Sequence, residues 1–218
     1  PDLSPALPCE RFIVGVQNHD WVGNHPQGLR LPQRTSRETH LAASALVLLY
    51  PAIPLLFMGE EYNESSPFLF FTDFGGESLR QAVDEGRRRE HPQHDWSQAI
   101  LASSEEAFLQ SKLRDFDGGD AGMLAWYTAL LSLRREGIAA GWLRADNLTV
   151  TADQRNHDFH LHYWRGEAAP VTVSVWLRPE SDVSLEDPPR KIHLHSAEER
   201  FSGGGKIPTK GPWAAVLS

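Results

Sequence analysis

The chain is most constrained by two short apolar runs, each ending abruptly in polar residues, with a helix-forming segment between them. Arg11-Phe12-Ile13-Val14-Gly15-Val16 is rich in β-branched residues and ends in Gln17-Asn18-His19-Asp20. Ala52-Ile53-Pro54-Leu55-Leu56-Phe57-Met58 ends in Gly59-Glu60-Glu61. Apolar runs without alternation read as strands buried on both faces, as in a parallel sheet. Pro51 and Pro54 make the start of the second run irregular. Between the runs, Gly23, Pro26 and Gly28 punctuate a loop from Trp21 to Pro32. The segment from Arg34 to Tyr50 predicts a helix, with Ser36 as N-cap and Glu38 in the first turn. Strand, polar loop, helix, strand, polar loop is the β/α pattern. In such folds the functional groups gather at the carboxyl ends of the strands.

Further along, Ser78 to Glu90 predicts a charged helix, and 91–120 reads as irregular. Ala121 to Glu136 predicts an amphipathic helix, with Leu124, Tyr127, Leu130, Leu131 and Leu133 at helical spacing. The pattern changes near Gly141. Leu148–Thr151, Phe159–Trp164, Val171–Leu177, Lys191–His195 and Trp213–Leu217 alternate with period two, separated by turn-rich segments. They predict an antiparallel sheet or sandwich of about five to seven strands. The expected organisation is a β/α part over 1–140 and a β part over 141–218.

Composition excludes several classes. With 29 acidic and 21 basic residues the net charge is -8, which argues against a nucleic-acid binder acting through a basic face. The longest apolar stretch, Leu41 to Met58, is broken by Ser44, Pro51 and Pro54, so no membrane span is expected. Cys9 is the only cysteine, so no intramolecular disulfide can form. The first residues, Pro1-Asp2-Leu3-Ser4-Pro5, have neither the basic start nor the apolar core of a signal peptide. The chain also does not begin with methionine, and a piece of a longer protein is expected. Seven tryptophans and ten histidines are many for 218 residues. Flat rings and imidazoles suit sugar-binding surfaces, although most such rings serve the core.

The leading candidate site is Gln17-Asn18-His19-Asp20. A carboxylate accepts two hydrogen bonds, an imidazole donates one and amides do either, which suits vicinal hydroxyls. The same carboxylate can stabilise an oxocarbenium ion. Alternatively, these residues cap the next element and satisfy loop amides. Glu60 and Glu61 either line the same cleft, support Asp20, or satisfy their own loop. They are poorly placed to be a nucleophile–acid pair, because adjacent side chains at a strand end point apart. His160 with His162, and His193 with His195, are expected to share strand faces. No cysteine or carboxylate completes a zinc set, so a polar sheet face is expected, with no metal and no cofactor. Arg87-Arg88-Arg89 reads as a solvated helix face.

The stretch Phe12–Asp20 resembles the "F-V-x-x-x-Q-N-H-D" motif of the α-amylase superfamily. Pro51–Tyr62 resembles that superfamily's "G-x-P-x-x-F-x-G-E-E". Ser66–Phe74, Glu85–Glu90 and Ser111-Lys112-Leu113 narrow the likeness to the malto-oligosyltrehalose trehalohydrolases, over roughly residues 10 to 136. The resemblance implies strands seven and eight of a (β/α)8 TIM barrel, followed by an antiparallel β-sandwich. It implies a cytoplasmic retaining α-glycosidase that releases trehalose from malto-oligosyltrehalose. Asp20 takes the place of the transition-state-stabilising carboxylate. His19 takes that of a substrate-binding histidine, with Asn18, Gln17, Trp21, Glu60 and Glu61 as further substrate contacts. The chain departs from the family pattern at Trp21, His25, Arg30 and His91.

A retaining glycosidase needs a nucleophile and a general acid about 5 Å apart. In the family these stand on earlier strands, and only residues 1–11 precede Phe12. Both are therefore expected outside this chain, and the missing N-terminal barrel half must be supplied in cis or in trans. The competing expectation is a non-catalytic carbohydrate-binding or partner module derived from the same family.

Overall fold

The computed structural model describes residues 7–114, 119–183, 185 and 191–218. Strand β1 (Ile13–Val14) pairs in parallel with β2 (Ile53–Pro54), joined through α1 (His19–Gly23), α2 (Leu31–Arg34) and α3 (Arg37–Leu48). Helices α4 (Glu77–Glu90), α5 (Glu105–Gln110) and α6 (Ala121–Ala139) follow. Then come strands β3 (Leu148–Asp153), β4 (Asp158–Arg165), β5 (Ala168–Trp176), β6 (Ile192–His195) and β7 (Trp213–Leu217). No described helix is long and apolar enough to cross a membrane.

Several expectations are met closely. Ser36 caps α3, its side chain accepting from Thr39 N at 3.1 Å. The charged helix and the amphipathic helix both form, the latter extending to Ala139. Two short helices replace parts of the expected loop after Asp20, and α5 forms inside the segment read as irregular. The hydroxyl of Ser104 starts α5 by accepting from Ala107 N at 3.3 Å.

The parallel pair departs from expectation. Its strands are not buried on both faces: Ile13 is 67% exposed and Ile53 51%. Among the described residues β1 and β2 pair only with each other. Ile53 N donates to Phe12 O at 2.9 Å and Leu55 N to Val14 O at 2.7 Å. Pro54 lies between these two donors, so the position without an N–H falls on the side of β2 that faces away from β1.

Contacts divide the chain into two compact units. One gathers Pro1–Val16, Ser36–Leu55 and Ala121–Ser218; the other gathers Gln17–Thr35 and Leu56–Asp120. In the first, the antiparallel strands form one five-stranded sheet in the order β3-β4-β5-β7-β6. The period-two alternation decides which residues meet the helices. Leu161, Tyr163, Val171, Val173, Val175, Ala214 and Val216 pack with Leu41, Ala45, Leu48, Met123, Trp126 and Leu130 from α3 and α6. The other face carries Trp176, Trp213, Ala215 and Leu217, packed against Val183, Leu185, Ile192 and Ala197. Within the described residues, that face is covered by strand-flanking residues and not by a second sheet.

His160 and His162 do share a face, with rings stacked at 6.2 Å. Each meets a hydroxyl of β5, Ser174 Oγ at 2.9 Å and Thr172 Oγ1 at 3.1 Å. His193 and His195 do not share one. A bulge between Ile192 and Leu194 breaks the alternation. His193 lines a groove beside α6, whereas His195 lies 5.8 Å from Trp213 on the opposite side.

The carboxyl end of α3 is closed by side chains from distant elements. Arg134 donates from Nη1 to Leu48 O at 2.8 Å and Tyr50 O at 2.7 Å, and from Nη2 to Ala52 O at 2.6 Å. The Tyr163 hydroxyl donates to Leu49 O. Helix-end carbonyls have no intrahelical donor, so these bonds answer a general need. Burial pushes the Tyr163 phenol well above its ordinary range, so it remains a donor. Arg134→Met should cost about 2–4 kcal/mol by stranding these carbonyls. The exposed Arg135→Met should change stability by less than about 0.5 kcal/mol. Urea unfolding followed by tryptophan fluorescence checks both.

Candidate active site

The polar cluster after β1 lies in the second unit, where α1 separates its members. Asn18 is the N-cap of α1, its Oδ1 accepting from Trp21 N at 2.9 Å. Gln17 is 3% exposed and its Oε1 accepts from Leu31 N at 3.1 Å. Both amides are thus engaged with backbone. His19 and Asp20 point outward, their side chains 62% and 61% exposed, with Nε2 and Oδ1 3.2 Å apart. Trp21 is exposed beside them.

Asp20 and Trp21 line an open cleft of about 360 Å³ with Asn24, His25, Arg34, His91 and His94. The His25 and His94 rings are 5.6 Å apart, and those of His91 and His94 6.2 Å. Burial lowers the His25 pKa, and the charges of Arg34 and His94 lower it further. Its neutral form accepts from Gln27 N at Nδ1, 3.2 Å. The cleft therefore offers one carboxylate, an indole face, several imidazoles and a guanidinium. That set suits a polyhydroxylated ring.

The loop after β2 is built around Arg30, which is 1% exposed. Its Nε donates to Ser66 O at 2.6 Å and its Nη1 to Met58 O at 2.7 Å, with Phe57 beneath at 5.1 Å. Burial lowers the Arg30 pKa, while Glu64, Tyr62, Glu60 and Glu61 act to keep it charged. Glu60 is buried, its Oε2 accepting from Phe57 N at 3.4 Å; Glu61 is half-buried. Neither lines the Asp20 cleft. Gly59, at φ 83°, makes the turn possible, and a Cβ there would lie 2.6 Å from Glu64.

Glu64 is 4% exposed. It accepts from Ser66 N at 2.7 Å and Arg114 N at 2.9 Å. Burial alone would raise its pKa, but these hydrogen bonds outweigh it and hold the carboxyl below its ordinary range.

An edge-to-face chain supports the site: Phe57–Phe68 at 5.3 Å, Phe68–Phe70 at 5.9 Å, Phe70–His19 at 6.3 Å. Gly23 packs on Phe70, where a Cβ would meet the ring at 2.8 Å. Arg87 lies over Phe70 and donates to Gly23 O at 2.6 Å. So only Arg88 and Arg89 of the basic run occupy the expected exposed face. Sequence reasoning missed Glu64, Arg34 and His94 as parts of this region. Arg30 was visible only as a departure from the family pattern, between Leu29 and Leu31. Among the described residues, no three His, Cys, Asp or Glu side chains gather as a metal site.

A parallel β/α pair followed by an antiparallel sheet is an architecture shared with a solved α-amylase-type structure. A solved putative α-amylase from Salmonella typhimurium superposes on 96% of this chain and 35% of its own, at TM-score 0.77 and 32% identity. No family model matches the chain. The malto-oligosyltrehalose trehalohydrolase of Saccharolobus solfataricus is 43% identical over 177 residues, 81% of this chain and 28% of that protein. That of Deinococcus radiodurans is 40% identical over 218 residues, 93% of this chain and 35% of that protein. Over most of its own length the chain is similar to the malto-oligosyltrehalose trehalohydrolases, and it spans about a third of the length of these curated relatives.

The carboxyl of Glu64 sets a pH dependence. Its folded pKa is depressed, so the unfolded state binds more protons as the ordinary carboxylate pKa of about 4.3 is crossed. Its contribution is present above that pH and is lost as pH falls through the folded pKa. Glu64→Gln should therefore destabilise the chain by about 1.5–3 kcal/mol at pH 7. It should also flatten the loss of stability on acidification below about pH 5. Urea midpoints across that range check the sign.

Proposed function

We propose that this chain is the C-terminal part of a retaining α-glycoside hydrolase. Its substrate is a malto-oligosyltrehalose, cleaved at the α-1,4 bond next to the terminal trehalose to release trehalose. The observation that carries this is Asp20. In a chain related to trehalohydrolases, it is the one exposed carboxylate of the β1-end motif and opens into a cleft with the chemistry of a sugar site.

In this proposal residues 1–140 hold the last two strands of a (β/α)8 barrel, and 141–218 form the β domain that follows it. The nucleophile and general acid come from the N-terminal barrel half, in cis or in trans. The nucleophilic carboxylate displaces the trehalose oxygen, which takes a proton from the acid. Water then hydrolyses the glycosyl ester. Asp20, ionised, stabilises the positive charge that develops at the anomeric carbon and accepts substrate hydroxyl hydrogens. His19 donates to the sugar and Trp21 offers a stacking face. Gln17 and Asn18 act through the backbone they hold, and Glu60 and Glu61 through the loop ordered on Arg30. The chemistry calls for no cofactor, and a cytoplasmic location is part of this proposal. Exposed Ile13, Ile53 and Leu55 support the view that further barrel strands cover the β1–β2 pair.

The test is trehalose release from malto-oligosyltrehalose by the full-length parent and by the 218-residue chain. Asp20→Asn in the parent should lower kcat at least about a hundredfold with the fold intact. The short chain alone should release none. Turnover by the short chain would overturn the placement of the nucleophile and acid outside it.

A further inference from the structure

The unit that carries Asp20 has a second concave surface. It encloses about 650 Å³ between the segment Phe71-Thr72-Asp73, Arg80 of α4 and the start of α5. It shares no lining residue with the Asp20 cleft.

Its apolar part is a pair of rings left in water. Phe71 and Phe108 are each 44% exposed and meet edge to face, centroids 5.1 Å apart. The ammonium of Lys112 sits 4.8 Å over Phe108 and helps fix the ring. Its polar part is open. The Asp73 side chain is fully exposed, and its carboxylate is 3.9 Å from Arg80 Nη2. So long an exposed ion pair is worth little, which leaves both groups available to a ligand. Arg80 is held in place through Nε, which donates to Phe74 O at 2.6 Å.

The floor is already satisfied. Thr72 N donates to Ala102 O at 2.8 Å, Ser103 Oγ to Asp84 Oδ2 at 2.7 Å and Ser104 Oγ to Leu101 O at 2.7 Å. A floor tied by its own hydrogen bonds loses little freedom when a ligand arrives. The charges nearly cancel: Asp73 and Glu105 stand against Arg80 and Lys112. That balance disfavours a phosphate or a polyanion. Exposed rings beside a carboxylate and a guanidinium match a neutral pyranose, whose C–H face lies on a ring while its hydroxyls reach the charged groups.

We propose that this groove is a second, non-catalytic binding site for a neutral α-glucan chain. It grips glucose units that do not occupy the Asp20 cleft. The choice of an α-linked glucan rests on the function proposed above; the ring and charge geometry does not.

The test uses the full-length protein carrying Asp20→Asn, so that bound sugar is not turned over, and calorimetric titration with maltoheptaose. Adding Phe71→Ala and Phe108→Ala should weaken binding at least about tenfold, with circular dichroism unchanged. Asp73→Asn with Arg80→Gln should weaken it as well, without touching the rings. In the otherwise native enzyme, Phe71→Ala with Phe108→Ala should leave kcat for the shortest cleavable substrate unchanged. Maltoheptaose affinity indifferent to the rings overturns the site, and equal binding of cellohexaose overturns its α-glucan preference. If the native parent releases no trehalose while ring-dependent binding persists, the proposed function falls and this site stands. Trehalose release with ring-independent binding is the reverse.

Discussion

A buried guanidinium organises the unit that carries the candidate site. Arg30 is almost wholly removed from water, a costly position for a cation unless its donors and its charge are answered. Two backbone carbonyls, Ser66 O and Met58 O, take the hydrogen bonds of Nε and Nη1, Nη2 is buried without a partner among the described residues, and the glutamates of the following loop act to keep the group charged. The loop after β2 is therefore shaped around a cation that enters from the segment before α2. Glu64 then uses the N–H groups of Ser66 and Arg114 to stay ionised within the same fold of backbone. Glu60 and Glu61 follow from this arrangement: one is turned inward to Phe57 N, and the other is half-buried beside it.

The first unit solves a different problem. Its parallel strands are short, so α3 is secured mainly by what packs on it and by what closes its end. Arg134 and Tyr163 supply donors from α6 and β4 to carbonyls that the helix cannot satisfy itself. The β5 and β7 alternation presents valines and alanines to α3 and α6. One helix layer and one sheet face thus make a single core, and the β/α and β parts of the sequence are joined in it.

Much of this was legible beforehand. The Ser36 cap, the amphipathic α6 and the period-two strands rest on local rules and formed where those rules put them, whereas the two apolar runs each formed only a two-residue strand. The motif around Asp20 was legible as chemistry. Which of its members reach solvent was not. Gln17 and Asn18 have the same hydrogen-bonding groups as any sugar-binding amide, yet Leu31 N and Trp21 N claim them. His193 and His195 read as one face until a bulge separated them. Arg87 read as one of three solvated arginines, but it lies against Phe70 with its donor on Gly23 O.

The sequence by itself determined the order of the elements, the kinship with trehalohydrolases and the presence of a carboxylate–imidazole pair after the first strand. These depend on neighbours in the chain, on periodicity and on motif spacing. The tertiary structure decided which polar groups are free to meet a ligand. A buried amide and an exposed one are identical in the chain and differ only in which distant N–H or C=O reaches them first. The pair of apolar runs that defines the chain is affected in the same way. Its composition predicted strands covered on both faces, but burial depends on the partners present, and Ile13 and Ile53 remain open to solvent.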